Sequence, residues 1–374
     1  FETLPLRLVL NIVETLNSRL QAASQWFMQS GIQESSGGVA RYYRSDLGRN
    51  ALVSTEITGY AVSALLHLHG AGGDPECFDA AVRAGRFLAR AAWDDTLRAM
   101  PFECANDGIV PEALAYFFDT GIIARGLLAL WRRSRDNEFL QAAIRCAEFM
   151  ARDFGGGPEF HPVLELPSKT PAARDRRWSR SPGCYQLKAA LAWRELAEET
   201  GRADFGGLYE QVLEWALCGH TAFPTGEGVG ERVMDRLHAY CYFLEGLLPC
   251  ADRPACAEAL CEGIAHTALL LARTAPLFER SDVYAQLLRV RLFAAALGVM
   301  PLDCEAAARE AAIIGEFQAC DSGPRIDGGF YFGRKGAQLL PYVNPVSTAF
   351  CAQALDMWRG HRAGTFEPDW RMLI

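Results

Sequence analysis

The segment DTGIIARGLLALWRRS, residues 119–134, is followed after two residues by NEFLQAAIRCAEFMARDF, residues 137–154, and this pair decides the fold. Both segments have apolar residues at helical spacing, which predicts two helices joined by a short turn. The first is apolar or small on nearly every side, whereas the second carries its charged residues on one face. The pair therefore predicts a buried helix that packs against a half-exposed one.

The same alternation recurs along the whole chain. Buried-type segments begin at Glu56, Asp119, Tyr185, His238, Tyr284 and Pro345, and amphipathic segments begin at Glu76, Asn137, Phe205, Ala255 and Cys304. The segment from Pro345 lacks a following partner and the N-terminal segment lacks a preceding one, so these two are expected to pair with each other. Strand signals are scarce. The sequence predicts an all-α protein, a single (α/α)6 toroid over residues 1–374.

An open superhelix of helical hairpins is the rival architecture. Glycines in ITGY, DTG and ARG favour the ring, because glycine allows the close helix contacts of an inner ring. Residues 94–118, 154–184, 218–237 and 319–344 form the long connections, and each leads into a predicted inner helix. Since inner helices of a toroid are parallel, these long loops are expected on one face, where a site would lie.

The residues that open the six predicted inner helices are all able to form hydrogen bonds or to titrate. They should line one funnel, and six positive helix ends favour an anionic ligand there. These residues are Glu56, Asp119, Tyr185, His238, Tyr284 and Asn344.

Composition excludes several function classes. The net charge of −8 and the single dense basic run, RDRRWSR at 174–180, argue against nucleic acid as partner. No uninterrupted apolar run reaches the roughly 20 residues of a membrane span, so no stable membrane insertion is expected. Twelve cysteines without a Cys-x-x-Cys pair favour a reducing compartment, which makes a cytoplasmic location the expectation over a secreted or periplasmic one. Neither a metal site nor a cofactor is predicted. DGGFYFGRKG, residues 327–336, indicates a β-hairpin or a glycine-rich lid before the last inner helix, and we expect this loop to close over the funnel.

Three groups of motifs resemble those of the (α/α)6-toroid carbohydrate-active enzymes. They are TEITGY, FDTG with GLLALWRRSRDNEFLQAA, and Y with LAW and ELAEETG. That grouping contains the six-hairpin glycosidases, the uronate lyases and the sugar epimerases. The likeness is closest to bacterial toroid proteins associated with exopolysaccharide loci. The resemblance implies an oligosaccharide or polysaccharide partner, with an anionic, uronate-containing one among the candidates.

Glycoside hydrolysis is the first hypothesis, because it needs one carboxylic acid and one carboxylate on either side of the scissile bond. Glu56, Asp119 and Asp235 are the candidates. For Asp119 the structural alternative is a helix cap, and for Asp235 it is a salt bridge with an arginine. Glu56 has less reason to enter an apolar ring unless the ring encloses water or a ligand.

Proton abstraction beside a uronate carboxyl is the second hypothesis, giving elimination or epimerisation. His238, Tyr185, Tyr240 and Tyr284 could act as base and acid, with Arg236 and Asn344 holding the substrate carboxylate. His238 could instead be a satisfied core histidine. A non-catalytic glycan-binding toroid is the third hypothesis. Its binding surface would comprise Tyr60 and the loop aromatics Trp178, Tyr331, Phe332 and Tyr342.

Overall fold

A computed structural model describes residues 6–72, 74–105, 109–156, 159–224, 231–320 and 323–374, without the side chains of 6–13 and 231. The α-helices in these ranges are α1 Leu6–Gln29, α2 Thr55–Gly70, α3 Glu76–Arg86, α4 Phe117–Ser134, α5 Asn137–Asp153, α6 Gln186–Thr200, α7 Ala203–Gly219, α8 Glu231–Leu247, α9 Pro254–Thr274, α10 Ser281–Ala296, α11 Cys304–Glu316 and α12 Pro345–Ala363.

The even-numbered helices form a closed inner ring. Each of α2, α4, α6, α8, α10 and α12 packs against the next, and α12 packs against α2. Each odd-numbered helix lies outside the inner helix that precedes it in the chain, except α1, which packs on α12. The predicted (α/α)6 toroid is therefore confirmed, including the pairing of the first helix with the last.

Burial follows the predicted division between inner and outer helices. In α4, every residue from Phe117 to Leu128 is buried, so the first three turns of this helix have no solvent face. In α5 the buried residues recur at helical spacing, from Phe139 through Ala142 and Ala143 to Cys146, and the opposite face is polar. An amphipathic helix of this kind covers the ring and presents charge to water.

Short antiparallel strands occupy the loops that lead into the inner helices. They are β1 Val39–Ala40, β2 Tyr43–Arg44, β3 Arg49–Asn50, β4 Val53–Ser54, β5 Leu114–Tyr116, β6 Val163–Glu165, β7 Thr170–Pro171, β8 Glu279–Arg280, β9 Gly333–Lys335, β10 Gln338–Leu339 and β11 Tyr342–Val343. Strand β1 pairs with β4, β2 lies between β11 and β3, β6 lies between β5 and β7, and β9 lies between β8 and β10. The β9–β10 hairpin overlaps only the end of the segment 327–336 for which a hairpin was predicted, because its second strand begins at Gln338.

Two inner helices begin three or more residues earlier than predicted. Helix α8 begins at Glu231, so His238 lies two turns inside it and does not open it. Helix α10 begins at Ser281, three residues before Tyr284. The cause in α8 is visible in the sequence VMDRLHAY, because Met234, Leu237 and Tyr240 are buried and continue the helical spacing of the core face.

Helix α9 is the described helix that is long and apolar enough to cross a membrane by length and composition. The sequence of α9 contains no long uninterrupted apolar run, because charged and polar residues are spaced along the helix. In the structure α9 is the outer partner of α8, and residues from Cys256 to Thr274 bury one face of it against the ring.

The axis of the ring is filled by buried charged residues of the inner helices, and the C-terminal segment of the chain packs against them. Lys188, Glu245 and Arg289 are completely buried there, and Glu245 accepts hydrogen bonds from both cations. The backbone oxygen of Ile374 accepts from Lys188 at 2.5 Å and from Arg289 at 3.4 Å. Gln353 also holds this segment, since its Oε1 accepts from the Ile374 backbone N–H at 3.0 Å. Residues 370–374 therefore close this end of the ring.

Glycines set the spacing of the inner helices where α2, α4 and α6 meet. A Cβ atom on Gly121 would lie 2.5 Å from the backbone oxygen of Ala189, and one on Gly126 would lie 2.5 Å from that of Gly59. These separations are far below van der Waals contact with backbone atoms that cannot rotate away. The glycines of DTG and ARG thus have the close-contact role that the sequence predicted.

Replacing Gly121 by alanine should therefore force α4 away from α6. We expect Gly121→Ala to lower the free energy of unfolding by about 1–3 kcal/mol, the usual cost of overpacking a core. Gly207→Ala is the matched control, because Gly207 lies in α7 with nothing within 4 Å of the added atom. In urea titrations the control should be neutral or up to about 1 kcal/mol more stable. Equal midpoints for wild type and Gly121→Ala would contradict the close packing.

Candidate functional site

A cleft of about 290 Å³ lies on the axis of the ring, at the N-terminal ends of the inner helices. Its walls combine acids, cations and aromatic rings from five inner helices and the loops that precede them. Lining residues include Arg41, Glu56, Phe118, Asp119, Arg177, Trp178, Tyr185, His238, Tyr242, Arg280, Asp282 and Asn344.

Glu56 and Asp119 enter the cleft from neighbouring helices. Glu56 is the second residue of α2 and Asp119 is the third residue of α4, so both lie in a first helical turn. The Glu56 side chain is half-buried, whereas Asp119 is only 7% exposed. The Oδ2 atom of Asp119 is buried and has no hydrogen-bond partner among the described residues. A carboxyl oxygen left open in this way is available to a ligand.

The two carboxyl groups hold protons unusually tightly. Burial raises the pKa of Glu56 to about 7, although the charge of Arg41 opposes the rise. Burial and the neighbouring charge of Glu56 raise the pKa of Asp119 well above its ordinary value, again against Arg41. Two nearby carboxyl groups in a desolvated site cannot both ionise cheaply. At neutral pH the pair therefore retains a proton.

Asp119 is not the N-cap of α4, so the helix cap considered for this residue is wrong. Helix α4 begins at Phe117, so the N-cap is Tyr116, and no side chain caps this helix end. The carboxyl group of Asp119 interacts with its own backbone N–H, which lowers its pKa only in part. The sequence prediction failed because the aromatic residues of FFDTG are themselves helical.

His238 projects from the second turn of α8 onto the aromatic floor of the cleft. Its ring lies 4.6 Å from that of Tyr242, and its Nδ1 is 2.7 Å from Oε1 of Gln286. Since an amide oxygen can only accept, Nδ1 carries the proton and the lone pair lies on Nε2. Burial and the charge of Arg280 lower the pKa of His238 to about 3, against the pull of Asp282. The imidazole is thus neutral.

Arg280 and Asp282 form a second charged group beside His238. The guanidinium of Arg280 donates to both carboxylate oxygens of Asp282, at 3.0 and 2.7 Å, and to Asp235 at 2.7 Å. Burial disfavours ionisation of Asp282, but the charge and hydrogen bonds of Arg280 outweigh burial and keep the pKa of Asp282 below its ordinary value. Asp282 is therefore a carboxylate. Asp235 lies outside the cleft in the salt bridge that was its structural alternative.

Aromatic residues give the cleft one hydrophobic wall. Trp178 meets Tyr185 edge-on with ring centroids 4.9 Å apart, and Phe118 packs on Tyr242 at 4.5 Å. The hydroxyl of Tyr185 is occupied, because it donates to the backbone oxygen of Ser181. Trp178 remains half-buried, so part of its indole faces the cleft. Sugar rings pack well on such surfaces.

The structure brings six of the predicted site residues to the cleft, namely Glu56, Asp119, Trp178, Tyr185, His238 and Asn344. Asn344 also caps α12, because its Oδ1 accepts from the backbone N–H of Val346 at 2.8 Å. Arg236 and Asp235 lie just outside, in an adjoining cavity.

The remaining predicted tyrosines do not line the cleft. Tyr60 is buried beneath it against Phe350, and Tyr240 is hydrogen-bonded to Nδ1 of His220. Tyr284 donates to Glu279 at 2.7 Å. Tyr342 packs edge-on against Tyr42, and Tyr331 is half-buried in the loop before β9. Tyr284 was misplaced because α10 begins three residues earlier than predicted.

Sequence reasoning missed several cleft residues. Asp282 could have been found, because it is the second residue of α10 as Glu56 is the second residue of α2. Arg280 is two positions before it. Arg41 comes from the segment before β2, where no helix was predicted, and Tyr242 comes from the second half of α8. Among the residues described, no three His, Cys, Asp or Glu side chains are grouped to hold a metal ion.

Solved structures with the same fold are enzymes named for reactions of sugars. The cellobiose 2-epimerase from Spirochaeta thermophila DSM 6192 is 16% identical, with a TM-score of 0.67 over 92% of this chain and 98% of that chain. The cellobiose 2-epimerase from Bacillus thermoamylovorans B4167 is 10% identical, with a TM-score of 0.69 over 92% and 99%. The unsaturated glucuronyl hydrolase from Bacillus sp. GL1 is 12% identical, with a TM-score of 0.67 over 94% and 98%.

The resemblance to toroid carbohydrate-active enzymes is confirmed at the level of the fold. No family model matches the sequence, and a search of curated proteins finds no match either. At identities this low the shared fold carries no reaction with it. The chemistry has to be argued from the cleft itself.

The raised pKa of Glu56 predicts a stability cost that depends on pH. Its pKa rises from 4.5 to about 7 on folding, so wild type loses stability as pH increases through that window. Glu56→Gln removes the loss. Above pH 7 we expect the free energy of unfolding of the variant to exceed that of wild type by about 1–3 kcal/mol. Below pH 4.5 this difference should vanish.

Urea denaturation at a series of pH values measures this difference. Glu258→Gln is the matched control, because Glu258 lies on the exposed face of α9. The control should follow wild type at every pH. If the free energies of unfolding of Glu56→Gln and wild type differ by the same amount at pH 4 and at pH 8, the Glu56 carboxyl group is not desolvated.

Proposed function

We propose that the protein is a carbohydrate-active enzyme that hydrolyses glycosidic bonds in an oligosaccharide or polysaccharide. One observation carries the proposal: Glu56 and Asp119 meet in a desolvated cleft, and Asp119 has a buried carboxyl oxygen without a protein partner. Glycoside hydrolysis needs this combination of a protonated acid and an ionisable carboxylate. Support also comes from the toroid enzymes of the same fold, whose names refer to reactions of sugars.

Asp119 is the proposed general acid. Its pKa lies well above the ordinary value, so it holds a proton that it can donate to the leaving glycosidic oxygen. Glu56 is the proposed base or nucleophile. With a pKa of about 7, it can be ionised near neutral pH, and as a carboxylate it can activate water or attack the sugar. When Asp119 has given its proton to the leaving oxygen, Glu56 has taken a proton from the attacking water or has bonded to the sugar, so the pair carries one negative charge before and after the step.

The remaining walls of the cleft would bind the sugar. Trp178 and Phe118 offer apolar ring faces, on which the axial C–H groups of a pyranose can pack. Arg41 lies close enough to both carboxyl groups to lower their pKa values, so it would stabilise the carboxylate that forms during the reaction. The ion-paired Arg280 and Asp282 lie beside His238 and fix its position.

The first test uses wild type, Glu56→Gln and Asp119→Asn with a panel of neutral and uronate-containing oligosaccharides. New reducing ends and the absorbance of an unsaturated product are followed together. We expect reducing ends without absorbance for wild type, and a loss of at least about 100-fold in each variant, the usual contribution of a general acid or base. Glu258→Gln should retain full activity. Activity that survives in both cleft variants would overturn the carboxyl-pair mechanism.

Epimerisation or elimination is the second candidate, and His238 is the observation that favours it. The imidazole is neutral, with Nδ1 bound to Gln286, and the residue lines the cleft. A neutral imidazole of this kind can abstract a proton beside a carbonyl or carboxyl group. Absorbance of an unsaturated product, or deuterium uptake from heavy water into an unbroken sugar, would move the assignment to this chemistry. Either signal should then disappear in His238→Gln.

A further inference from the structure

A second cavity of about 780 Å³ adjoins the cleft, and we call it the arginine vestibule. It shares Arg41, Arg177, Trp178 and Ser179 with the cleft, so the two spaces lie side by side. Its other lining residues are Arg176, Arg232, Arg236, Asp175 and Asp235. A sugar chain whose reacting unit occupies the cleft would place the next unit here, with Trp178 between them.

The two aspartates of the vestibule do not neutralise its arginines, because both are already engaged. Asp235 binds Arg280, which lies in the cleft and not in the vestibule. Asp175 accepts from Nε of Arg177 at 2.9 Å, and the lowered pKa of Asp175 follows first from that bond. Among the described residues, Arg176, Arg232 and Arg236 have no carboxylate partner.

Arg236 is held in place without a counter-charge. It donates to the backbone oxygen of Phe223 at 3.1 Å, and its guanidinium lies 5.4 Å from the centre of the Phe223 ring. Arg176 and Arg232 are exposed beside it. Like charges gathered around one concave surface repel one another, and a bound anion relieves this repulsion. Guanidinium groups suit a planar carboxylate, which they can bind through two parallel hydrogen bonds.

The cleft differs from the arginine vestibule in that its positive charges are neutralised. Its arginines are paired: Arg280 with Asp282 and Asp235, Arg41 with Glu103, and Arg177 with Asp175. An acidic group on the reacting sugar would also face Glu56, Asp119 and Asp282. The charge distribution therefore favours an anion on the adjoining sugar and not on the reacting one.

We propose that the arginine vestibule binds the carboxylate of the sugar unit next to the reacting one, so that the substrate is a carboxylated oligosaccharide or polysaccharide. The inference rests on the proposed function, because it takes the cleft as the place where the sugar reacts. It adds a binding site, formed by Arg176, Arg232 and Arg236, and the chemical class of the substrate.

Binding is measured in the Asp119→Asn background, so that no substrate is consumed. The probes are oligomers of galacturonate, of alginate and of hyaluronan, each compared with its carboxyl-reduced form, which keeps the linkages and loses the charge. We expect at least one acidic oligomer to bind tenfold or more tightly than its reduced form. Adding Arg176→Gln and Arg232→Gln should weaken binding of the acidic form about tenfold and leave the reduced form unchanged.

Arg133→Gln with Arg362→Gln is the matched control, since it removes the same charge at the C-terminal ends of α4 and α12, on the opposite face. This control should bind as the parent does. Equal weakening in both double variants would show a net-charge effect and overturn the proposal. Reduced oligomers that bind as tightly as acidic ones, or acidic oligomers that all fail to bind, would overturn it as well.

The experiment separates this proposal from the function on which it rests. If wild type releases reducing ends equally from acidic and reduced oligomers, hydrolysis stands and the carboxylate site is wrong. If acidic oligomers bind through Arg176 and Arg232 but release no reducing ends with wild type, the binding site stands and the hydrolytic function is wrong.

Discussion

Closure of the inner ring is the constraint on which the rest of the structure depends. Because α12 packs against α2, six parallel helices must begin on the same face and around the same axis. Their first turns carry Glu56, Asp119 and Asp282, which are brought together although more than sixty residues separate each from the next in the chain. An open superhelix would leave these acids in water. In the ring they lose solvent, and the pKa values of Glu56 and Asp119 rise as a result.

The axis of the ring is layered. Beneath the cleft lie Tyr242 and Phe350, and beneath them the fully buried ion cluster of Lys188, Glu245 and Arg289. The ammonium of Lys188 lies 5.3 Å from the centre of each of the two rings, which joins the layers. Buried ion pairs add little net stability, but breaking one leaves an uncompensated charge and is costly. The cluster therefore fixes the relative positions of α6, α8 and α10 under the floor of the cleft.

The helices and their order could be predicted because burial periodicity is local. Short segments of the sequence are enough to predict the apolar faces of α4 and α5. They also contain the glycines that bring α2, α4 and α6 together. Glu56 and Asp119 were predictable for the same reason, since each interrupts an apolar pattern. Arg41 and Tyr242 were not, because their approach to the cleft depends on a loop path and on the rotation of α8. The pairing of Asp282 with Arg280 needed the true start of α10, which the loop before it concealed.

The pairing of α1 with α12 has a consequence for how the protein is made. The side chain of Arg359, in α12, donates to that of Asn17, in α1, across 342 positions in the sequence. During synthesis α1 thus leaves the ribosome long before α12, and the part of its face that packs on α12 stays uncovered until α12 has emerged. Contacts this distant along the chain make folding slow. The first and the last helix of the ring close it, so the nascent ring exposes apolar surface, and is prone to aggregate, until α12 has been synthesised.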